Sequence, residues 1–374
     1  MASLVGEVSS DSSAARAAAL QAIMEGISSG DENLRIEAAR EIRRLTKTST
    51  KHRRQLSGAI EPLVSMLRDG GRECGEAAIL ALLNLAVKDE RNKVKIVDSG
   101  ALGPLISFLQ STDMNLQEYA TAAVLTLTAS STNKPTITAA GAIPILVKIV
   151  EDGNTQAKID AVMALFNLST SPDNLNTILS TQPIPPLINL LKSCKKSSRA
   201  AEKCIALLES LLSFDDAKNA LTSEEGGVLT VVEVLEEGSL HSRECAVGAL
   251  LTMCESDRCR YREVILNEGV IPGLLELTVQ GTPKAQSKAR TLLKLLRNSP
   301  YPRPELQADA LENIVCNIVS KIDGDDRAEK AKKMLAEMVK VSMEQSWRHL
   351  QQRALVCTPT EVPLGNCPFE VPSK

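Results

Sequence analysis

Apolar and polar positions repeat along the chain at intervals of about 42 residues. The clearest element is a seven-residue phrase in which Gly precedes an apolar run that often contains Pro. It reads GAIEPLV from Gly58, GALGPLI from Gly100, GAIPILV from Gly141, QPIPPLI from Gln182, GGVLTVV from Gly226 and GVIPGLL from Gly269. Successive phrases start 42, 41, 41, 44 and 43 residues apart. Near-constant spacing of this length predicts a repeat fold in which each unit packs on its neighbours.

Each phrase predicts the end of one helix and the start of the next. Glycine ends a helix in the left-handed conformation, and proline fits the first turn of the following helix because its missing N–H needs no partner there. A short polar break follows, and then a longer apolar segment. The longer segments read EAAILALLNL from Glu76, EYATAAVLTL from Glu118, IDAVMALFNL from Ile159, AEKCIALLESL from Ala201 and ECAVGALLTM from Glu244. We therefore predict an all-α chain in which a shorter helix is followed by a longer one.

The composition agrees with helix-on-helix packing. Of the 374 residues, 43% are hydrophobic but only 2% are aromatic, so Leu, Ile, Val and Ala must form the core. Small residues recur at one position of the longer segments, where we expect two helices to approach closely: Ala78, Ala120, Ala161, Cys204 and Ala246. Eight aromatic rings are too few for a platform that stacks single-stranded nucleic acid. The net charge of −3 also makes nucleic acid an unexpected partner.

Over residues 14–299 this pattern resembles the armadillo repeat, which implies a right-handed superhelix of three-helix units, an α-solenoid. The phrases LRIEAAREIRRLTK, AGAIPILVKIV, KIDAVMALFNLST and ILNEGVIPGLLEL are similar to the ARM domain of plant U-box ubiquitin ligases. In those ligases the U-box recruits the ubiquitin-conjugating enzyme and the repeats bind the target. The 13 residues before the first expected helix are too few for a U-box, so the resemblance implies the target-binding part alone.

The repeat register predicts how the chain is divided. We expect residues 1–13 to be disordered and residues 14–57 to form a partial N-terminal cap repeat. Six armadillo repeats are expected in residues 58–299, at 58–99, 100–140, 141–181, 182–225, 226–268 and 269–299. A helical C-terminal extension at 300–356 and a disordered tail at 357–374 follow. The apolar stripe of the extension would cover the last repeat, as the ends of repeat arrays require, and binding of a partner or a lipid surface is the alternative.

The resemblance also implies where partners bind. Many armadillo proteins hold extended peptides in a concave groove along the long helices, where an Asn near the end of each helix contacts the peptide backbone. The aligned positions here are Arg44, Asn84, Thr126, Asn167, Ser210 and Thr252, which we expect to form the groove together with Arg40 and Arg43. The alternative for the two asparagines is a hydrogen bond within their own helix end. Import adaptors of this fold carry Trp one turn earlier, and the single Trp of this chain is Trp347, so that function is not expected.

A basic segment near the N-terminus predicts the chemistry of the partner. Eight positive residues lie within twenty positions: Arg35, Arg40, Arg43, Arg44, Lys47, Lys51, Arg53 and Arg54. Four of them share one helix face, which suits an acidic or phosphorylated protein segment. The alternative function is binding of an anionic surface, either membrane lipid or nucleic acid, and a merely solvated cap helix is a third interpretation. A second basic cluster, from Lys192 to Lys203, is expected to be a solvated loop.

Little in the sequence predicts catalysis. No GxxxxGK[ST] or GxGxxG loop occurs, and the three His residues are too scattered to pair with a nucleophile. We therefore predict no catalytic residue, no cofactor and no metal site, and a non-catalytic, monomeric scaffold for partner protein segments rather than an enzyme. A role in ubiquitin-dependent turnover follows only from the resemblance. Nine Cys without a CxxC pair, and no secretory or membrane-spanning segment, predict the cytoplasm, with the nucleus as an alternative.

Overall fold

The computed structural model describes residues 17–297 and four further positions, 333, 337, 340 and 341. The ends that we expected to be disordered, 1–13 and 357–374, lie outside the described residues. The expected helical extension at 300–356 lies outside them as well, except at those four positions, which are helical.

Residues 17–297 form twenty α-helices and one 3₁₀ turn and contain no strand, so the prediction of an all-α chain is confirmed. Numbered in chain order, the elements are α1 (17–27), α2 (Glu32–Thr46), α3 (Thr50–Gln55), the 3₁₀ turn η1 (Ser57–Ala59), α4 (Ile60–Asp69), α5 (Arg72–Ala86), α6 (Glu90–Asp98), α7 (Leu102–Leu109), α8 (Met114–Thr128), α9 (Lys134–Ala139), α10 (Ala142–Asp152), α11 (Thr155–Ser169), α12 (Pro172–Ser180), α13 (Ile184–Ser193), α14 (Arg199–Leu211), α15 (Asp215–Ser223), α16 (Gly227–Glu237), α17 (Leu240–Ser256), α18 (Arg258–Asn267), α19 (Ile271–Gln280) and α20 (Pro283–Arg297).

The chain divides into two compact units, Met1–Glu268 and Gly269–Lys374. In the first unit, after α1 and α2, two shorter helices and one long helix follow each other five times, from the triplet α3, α4 and α5 to the triplet α15, α16 and α17. Helix α18 ends this unit. In the second unit the described helices α19 and α20 pack against each other.

The long helices of the first unit form one continuous row, which we call the long-helix row. Its members are α2, α5, α8, α11, α14 and α17, and each packs against the next. The small residues that recur in the sequence of these helices are all completely buried: Ala78, Ala120, Ala161, Cys204 and Ala246. Cys204 lies against the shorter helix α13, where its Sγ is 3.3 Å from the Leu187 carbonyl oxygen.

Glycines open the repeat phrases because the backbone there is left-handed. Positive φ values of 65° to 81° occur at Gly100, Gly141, Gly226 and Gly269. Gln182 occupies the same place in the phrase that lacks glycine, and its φ is 53°. Only glycine adopts this conformation without steric cost, so Gln182 is a strained position in an otherwise regular pattern. Gly58 is different, since it lies within the 3₁₀ turn η1.

Buried asparagines close the ends of the long helices and join one repeat to the next. Asn92, at the start of α6, is 3% exposed. Its Nδ2 donates to the Leu85 carbonyl at the end of α5, at 3.0 Å, and to the Arg53 carbonyl one repeat earlier, at 3.1 Å. The last carbonyls of a helix have no partner within that helix, so these donors satisfy groups that would otherwise be buried without a hydrogen bond.

The same arrangement recurs after α8 and α11. Asn133 Nδ2 donates to the Leu127 carbonyl at 3.3 Å and to the Lys93 carbonyl of the preceding repeat at 3.1 Å. Asn174 Nδ2 donates to the Leu168 carbonyl at 2.9 Å. We call Asn92, Asn133 and Asn174 the capping asparagines. They lie 41 residues apart, so hydrogen bonds as well as apolar contacts recur with the period of the repeat.

Replacing Gln182 with Gly should raise the free energy of unfolding by about 1 kcal/mol, because glycine removes the steric cost of the positive φ. Urea unfolding followed by circular dichroism measures the change. The matched control is Gly141→Ala, which should lower the same quantity by a similar amount. A Cβ added at Gly141 meets no atom within 4 Å, so its cost reports the backbone alone. Stabilisation by both substitutions would contradict the assignment of strain.

Asn92→Ala should lower the free energy of unfolding by roughly 2–4 kcal/mol, because two buried carbonyls lose their donor. The control is Asn176→Ala, at an exposed position of α12, which should change it by less than about 0.5 kcal/mol. Equal effects of the two substitutions in urea unfolding would show that the capping asparagines do not stabilise the stack.

Candidate functional site

The positions that the sequence aligns for partner binding lie together on the long-helix row. Asn84, Thr126, Asn167, Ser210 and Thr252 stand in successive helices from α5 to α17, and all five side chains are half-buried. Arg44 continues the series on α2 and is exposed. We call these six residues the polar column. Since the helices pack in order, the polar column crosses the first unit from one repeat to the next.

The two asparagines of the column already hold the preceding long helix. Asn84 Nδ2 donates to the Arg43 carbonyl at 2.9 Å, and Asn167 Nδ2 donates to Thr128 Oγ1 at 3.1 Å. Neither of these hydrogen bonds lies within the asparagine's own helix end, which was the alternative interpretation. Each amide retains a second N–H and its carbonyl oxygen, the pair of groups that can bind a peptide backbone.

The hydroxyl residues of the column offer a different group. Thr126, Ser210 and Thr252 each donate their hydroxyl hydrogen to the carbonyl four residues earlier in the same helix, at 2.9, 3.1 and 3.0 Å. Such back-bonding satisfies a hydroxyl inside a helix. The oxygen keeps lone pairs, so these three positions can accept a hydrogen bond from a partner while their donor is occupied.

A cavity of about 460 Å³ lies between α2 and α5 at the start of the row. It is lined by Arg40, Arg43, Arg72, Glu73, Glu76, Ala77 and Leu80. We call it the arginine cavity. Of these lining residues, Arg40 and Arg43 were predicted from the sequence. Arg72 was not predicted, because it lies in the first turn of the long helix of the next repeat.

The charges of the arginine cavity are partly paired. Arg40 forms a 2.5 Å ion pair with Glu73, in which both side chains are more than half exposed, and Arg72 pairs with Asp113, the N-cap residue of α8, whose side chain is 22% exposed. Arg43 makes no ion pair with any residue that the structure describes. Exposed pairs contribute about 0–1 kcal/mol, so a stronger anionic ligand can exchange with them at little cost.

Arg44 points to a separate partner on its own helix. It donates hydrogen bonds to both oxygens of Glu41. These hydrogen bonds lower the pKa of Glu41, burial opposes the shift, and the charge of Arg44 adds to it. Arg44 therefore lies in the polar column without lining the arginine cavity. The structure brings Arg40 and Arg43 together and leaves Arg44 beside them.

Sequence reasoning missed a row of carboxylates on the same helices. Glu76, Glu118, Glu202 and Glu244 lie two turns before the polar column, and Asp160 takes the adjacent position on α11. The signal was present, since three of the aligned helix phrases begin with one of these glutamates. Positions eight apart lie on one helix face, so carboxylates and polar column share a surface.

Hydrogen bonds from the following repeat orient two of these carboxylates. Asn154 Nδ2 donates to Glu118 at 2.9 Å, and Ser239 Oγ donates to Glu202 at 3.4 Å. Asp160 accepts from Gln156 of its own helix at 3.1 Å. Burial raises the pKa of Asp160, the hydrogen bond from Gln156 opposes that shift, and the charge of Glu118 adds to it.

The basic segment is not one exposed stripe. Arg53 is buried, and its guanidinium donates to the carbonyls of Thr46 and Lys47, at 2.9 and 3.0 Å, where it closes the end of α2. The second basic cluster also differs from the solvated loop that we expected. Lys196 is buried and donates to the Leu191 carbonyl at 2.6 Å while it pairs with Glu233 at 3.1 Å. A lysine within a loop thus ties two helices together.

Other chemistry is sparse in the part of the chain that the structure describes. No three His, Cys, Asp or Glu residues there are arranged to hold a metal ion. None of the described helices is long and apolar enough to span a bilayer. Burial raises the pKa of the Cys254 thiol to about 11 and holds that of the Cys204 thiol well above its usual value, so these two thiols are poor nucleophiles.

The sequence is similar to curated plant proteins over most of the described residues. Residues 20–316 match the family model of the plant U-box protein ARM repeat region. U-box domain-containing protein 9 of Arabidopsis thaliana is 35% identical over 270 residues, which cover 70% of this chain and 58% of that protein. U-box domain-containing protein 17 of the same plant is 30% identical over 287 residues, which cover 76% of this chain and 39% of that protein. The chain thus spans less than two thirds of either relative.

Solved structures share the fold. An engineered protein superposes with a TM-score of 0.65 at 22% identity, covering 91% of this chain and 85% of its own. A structure from work on a phosphorylation switch between cadherin and β-catenin has a TM-score of 0.64 at 18% identity and covers 80% and 59%. The prediction of an armadillo-repeat α-solenoid is confirmed. That fold is typically a protein-interaction scaffold and generally non-catalytic.

Proposed function

Because the chain belongs to the family of plant U-box protein ARM repeat regions, we propose that its long-helix row is a non-catalytic surface that binds extended segments of partner proteins. The observation that carries this proposal is the polar column. Five half-buried polar side chains stand on five successive helices, and each retains hydrogen-bonding groups that no residue of the repeats uses.

The chemistry of the column suits a peptide backbone. An extended segment presents N–H and C=O groups at regular intervals, and they need partners when the segment leaves water. Asn84 and Asn167 can both donate and accept, while the hydroxyls of Thr126, Ser210 and Thr252 can accept. Such contacts bind main chain and depend little on the sequence of the partner.

The arginine cavity supports a more specific proposal about the sequence of the bound segment. Arg43 is exposed and makes no ion pair with the described residues, Arg40 pairs with Glu73 at an exposed position, and Arg72 pairs with the less exposed Asp113. A carboxylate or phosphate accepts the forked guanidinium donors well. We propose that the bound segment carries an acidic or phosphorylated residue at this end.

The family suggests a biological setting. The relatives are U-box domain-containing proteins, and the resemblance to that group implies that the repeats hold the target while a U-box recruits the conjugating enzyme. We propose that the residues described here supply target recognition in ubiquitin-dependent turnover, in the cytoplasm or the nucleus. The free thiols buried in the core, such as Cys74 and Cys204, support a reducing compartment.

The double variant Asn84→Ala/Asn167→Ala should weaken binding of a natural partner by about tenfold or more, because two amide contacts of about 1 kcal/mol each are lost. The partner is first isolated by affinity purification from plant extract, and its Kd for each variant is then measured by isothermal calorimetry. The matched control is Asn176→Ala/Asn189→Ala, which removes two exposed amides from α12 and α13.

An unchanged Kd of the groove variant would reject the polar column as the site. If the protein instead bound anionic vesicles or oligonucleotides with a steep salt dependence, and charge reversal at Arg40, Arg43 and Arg44 removed that binding, the anionic-surface alternative would replace the proposal.

The purified 374-residue chain should form no ubiquitin conjugates when it is mixed with ubiquitin, activating enzyme and conjugating enzyme, because the described residues form armadillo repeats and not a U-box that would recruit the conjugating enzyme. Immunoblotting for ubiquitin measures the product. A full-length U-box domain-containing protein in the same mixture serves as the positive control. Autoubiquitination of this chain would contradict the non-catalytic role.

A further inference from the structure

The charged groups of the long-helix row differ along its length. Around the arginine cavity, Arg40, Arg43 and Arg72 lie with Glu73 and Glu76, whereas α8 and α11 carry Glu118 and Asp160. We propose that a bound segment has opposite charges at its two ends, with an acidic or phosphorylated residue in the arginine cavity and basic residues along α8 and α11. This inference rests on the proposed function, since it assumes a segment that lies along the row.

The arginine cavity is large enough for an anionic side chain. Its volume of about 460 Å³ exceeds that of a phosphorylated serine, and Arg43 brings a positive charge that no described carboxylate pairs with. A phosphate with two negative charges would also attract Arg40 away from its exposed partner Glu73.

The carboxylates of α8 and α11 need a positive partner. Glu118 and Asp160 accept hydrogen bonds only from the neutral amides of Asn154 and Gln156, so no described cation pairs with either of them. Asp160 is 8% exposed, and a buried carboxylate without a cation is unfavourable. They stand one on each helix rather than converging on a point, which suits a row of basic side chains and not a metal ion.

The repeats themselves show that this face holds a cation. Lys203 of α14 lies over the ring of Phe166 of α11, with Nζ 4.6 Å from the ring centre, and its ammonium is 3.4 Å from Glu202. An aromatic face and a carboxylate together form a favourable site for a positive charge. Lys203 thus neutralises Glu202, and Glu118 and Asp160 remain for the basic residues of a partner.

The geometry also gives the spacing of the charges in the partner. Neighbouring packed helices lie about 9 Å apart, and an extended chain advances about 3.3 Å per residue, so each repeat spans about three residues of the partner. The arginine cavity lies between α2 and α5. The basic residues that meet α8 and α11 should therefore stand about 4 and 7 residues from the anionic residue.

The test uses three fluorescent peptides with an Ala/Ser background. The first has phosphoserine at position 2 and Lys at positions 6 and 9, the second has the same residues in reverse order, and the third has the same composition with the charges interleaved. Fluorescence polarisation at low salt measures their Kd values. One of the two ordered peptides should bind at least about tenfold more tightly than the interleaved peptide.

Double-mutant cycles then locate each end. Replacing phosphoserine with Ser should abolish the effect of Arg43→Ala but not that of Glu118→Gln, and replacing the peptide lysine nearest the phosphoserine with Ala should do the opposite. Glu118→Gln keeps an acceptor for Asn154 and so leaves the fold intact. The control variant is Arg91→Ala, at an exposed arginine of α6 without a described ion pair, which should have no effect.

Equal affinities for the three peptides, coupling of Arg43 to the peptide lysines, or no binding by any peptide would each overturn the proposal of opposite charges. None of these results would contradict the proposed function, because that proposal is tested by the Kd of the natural partner for the asparagine variants. Conversely, an unchanged Kd of the natural partner for those variants would reject the proposed function even if the peptides bound.

Discussion

The structure depends on satisfying the carbonyls at the C-terminal ends of the long helices. In a repeat array each unit packs only on its neighbours, so the groups that a helix end leaves open must find donors in the adjacent units. The capping asparagines provide these donors after α5, α8 and α11, and Arg53 provides them after α2. Two of the asparagines also bind a carbonyl of the preceding repeat, at Arg53 and Lys93.

These hydrogen bonds have a consequence for the exposed face of the row. Because the capping asparagines and Arg53 satisfy the helix ends from one side, the polar column at the same ends can keep groups for another molecule. Asn84 and Asn167 use one N–H each to hold the preceding helix, which fixes the direction of the remaining amide groups. Stabilisation of the stack and preparation of a binding surface thus come from the same positions, and rigid donors and acceptors bind a partner with less loss of entropy.

Much of the fold could be predicted because its signals are local. The glycines at the starts of the phrases predict left-handed turns, and four of them have positive φ. The small residues of the long helices predict close packing, and all of them are buried. The capping asparagines were not predicted, although their spacing of 41 residues was visible, because a buried Asn and a loop Asn look alike in sequence. Lys196 was misjudged for a similar reason, since its partner Glu233 lies on another helix.

The candidate site was also predicted only in part. The aligned positions of the repeats predicted the polar column, whereas Arg72, Glu118 and Asp160 became visible only when the helices were placed side by side.

The central claim is that partner segments lie along the long-helix row. The most direct measurement is site-specific photo-crosslinking, with a photoreactive amino acid at Ala122 on α8, one turn before Thr126, and in a second protein at Thr136, an exposed position on the short helix α9. The account predicts that a natural partner crosslinks from Ala122 and not from Thr136. Crosslinking from Thr136 with none from Ala122 would place the partner on the other helices and contradict the account.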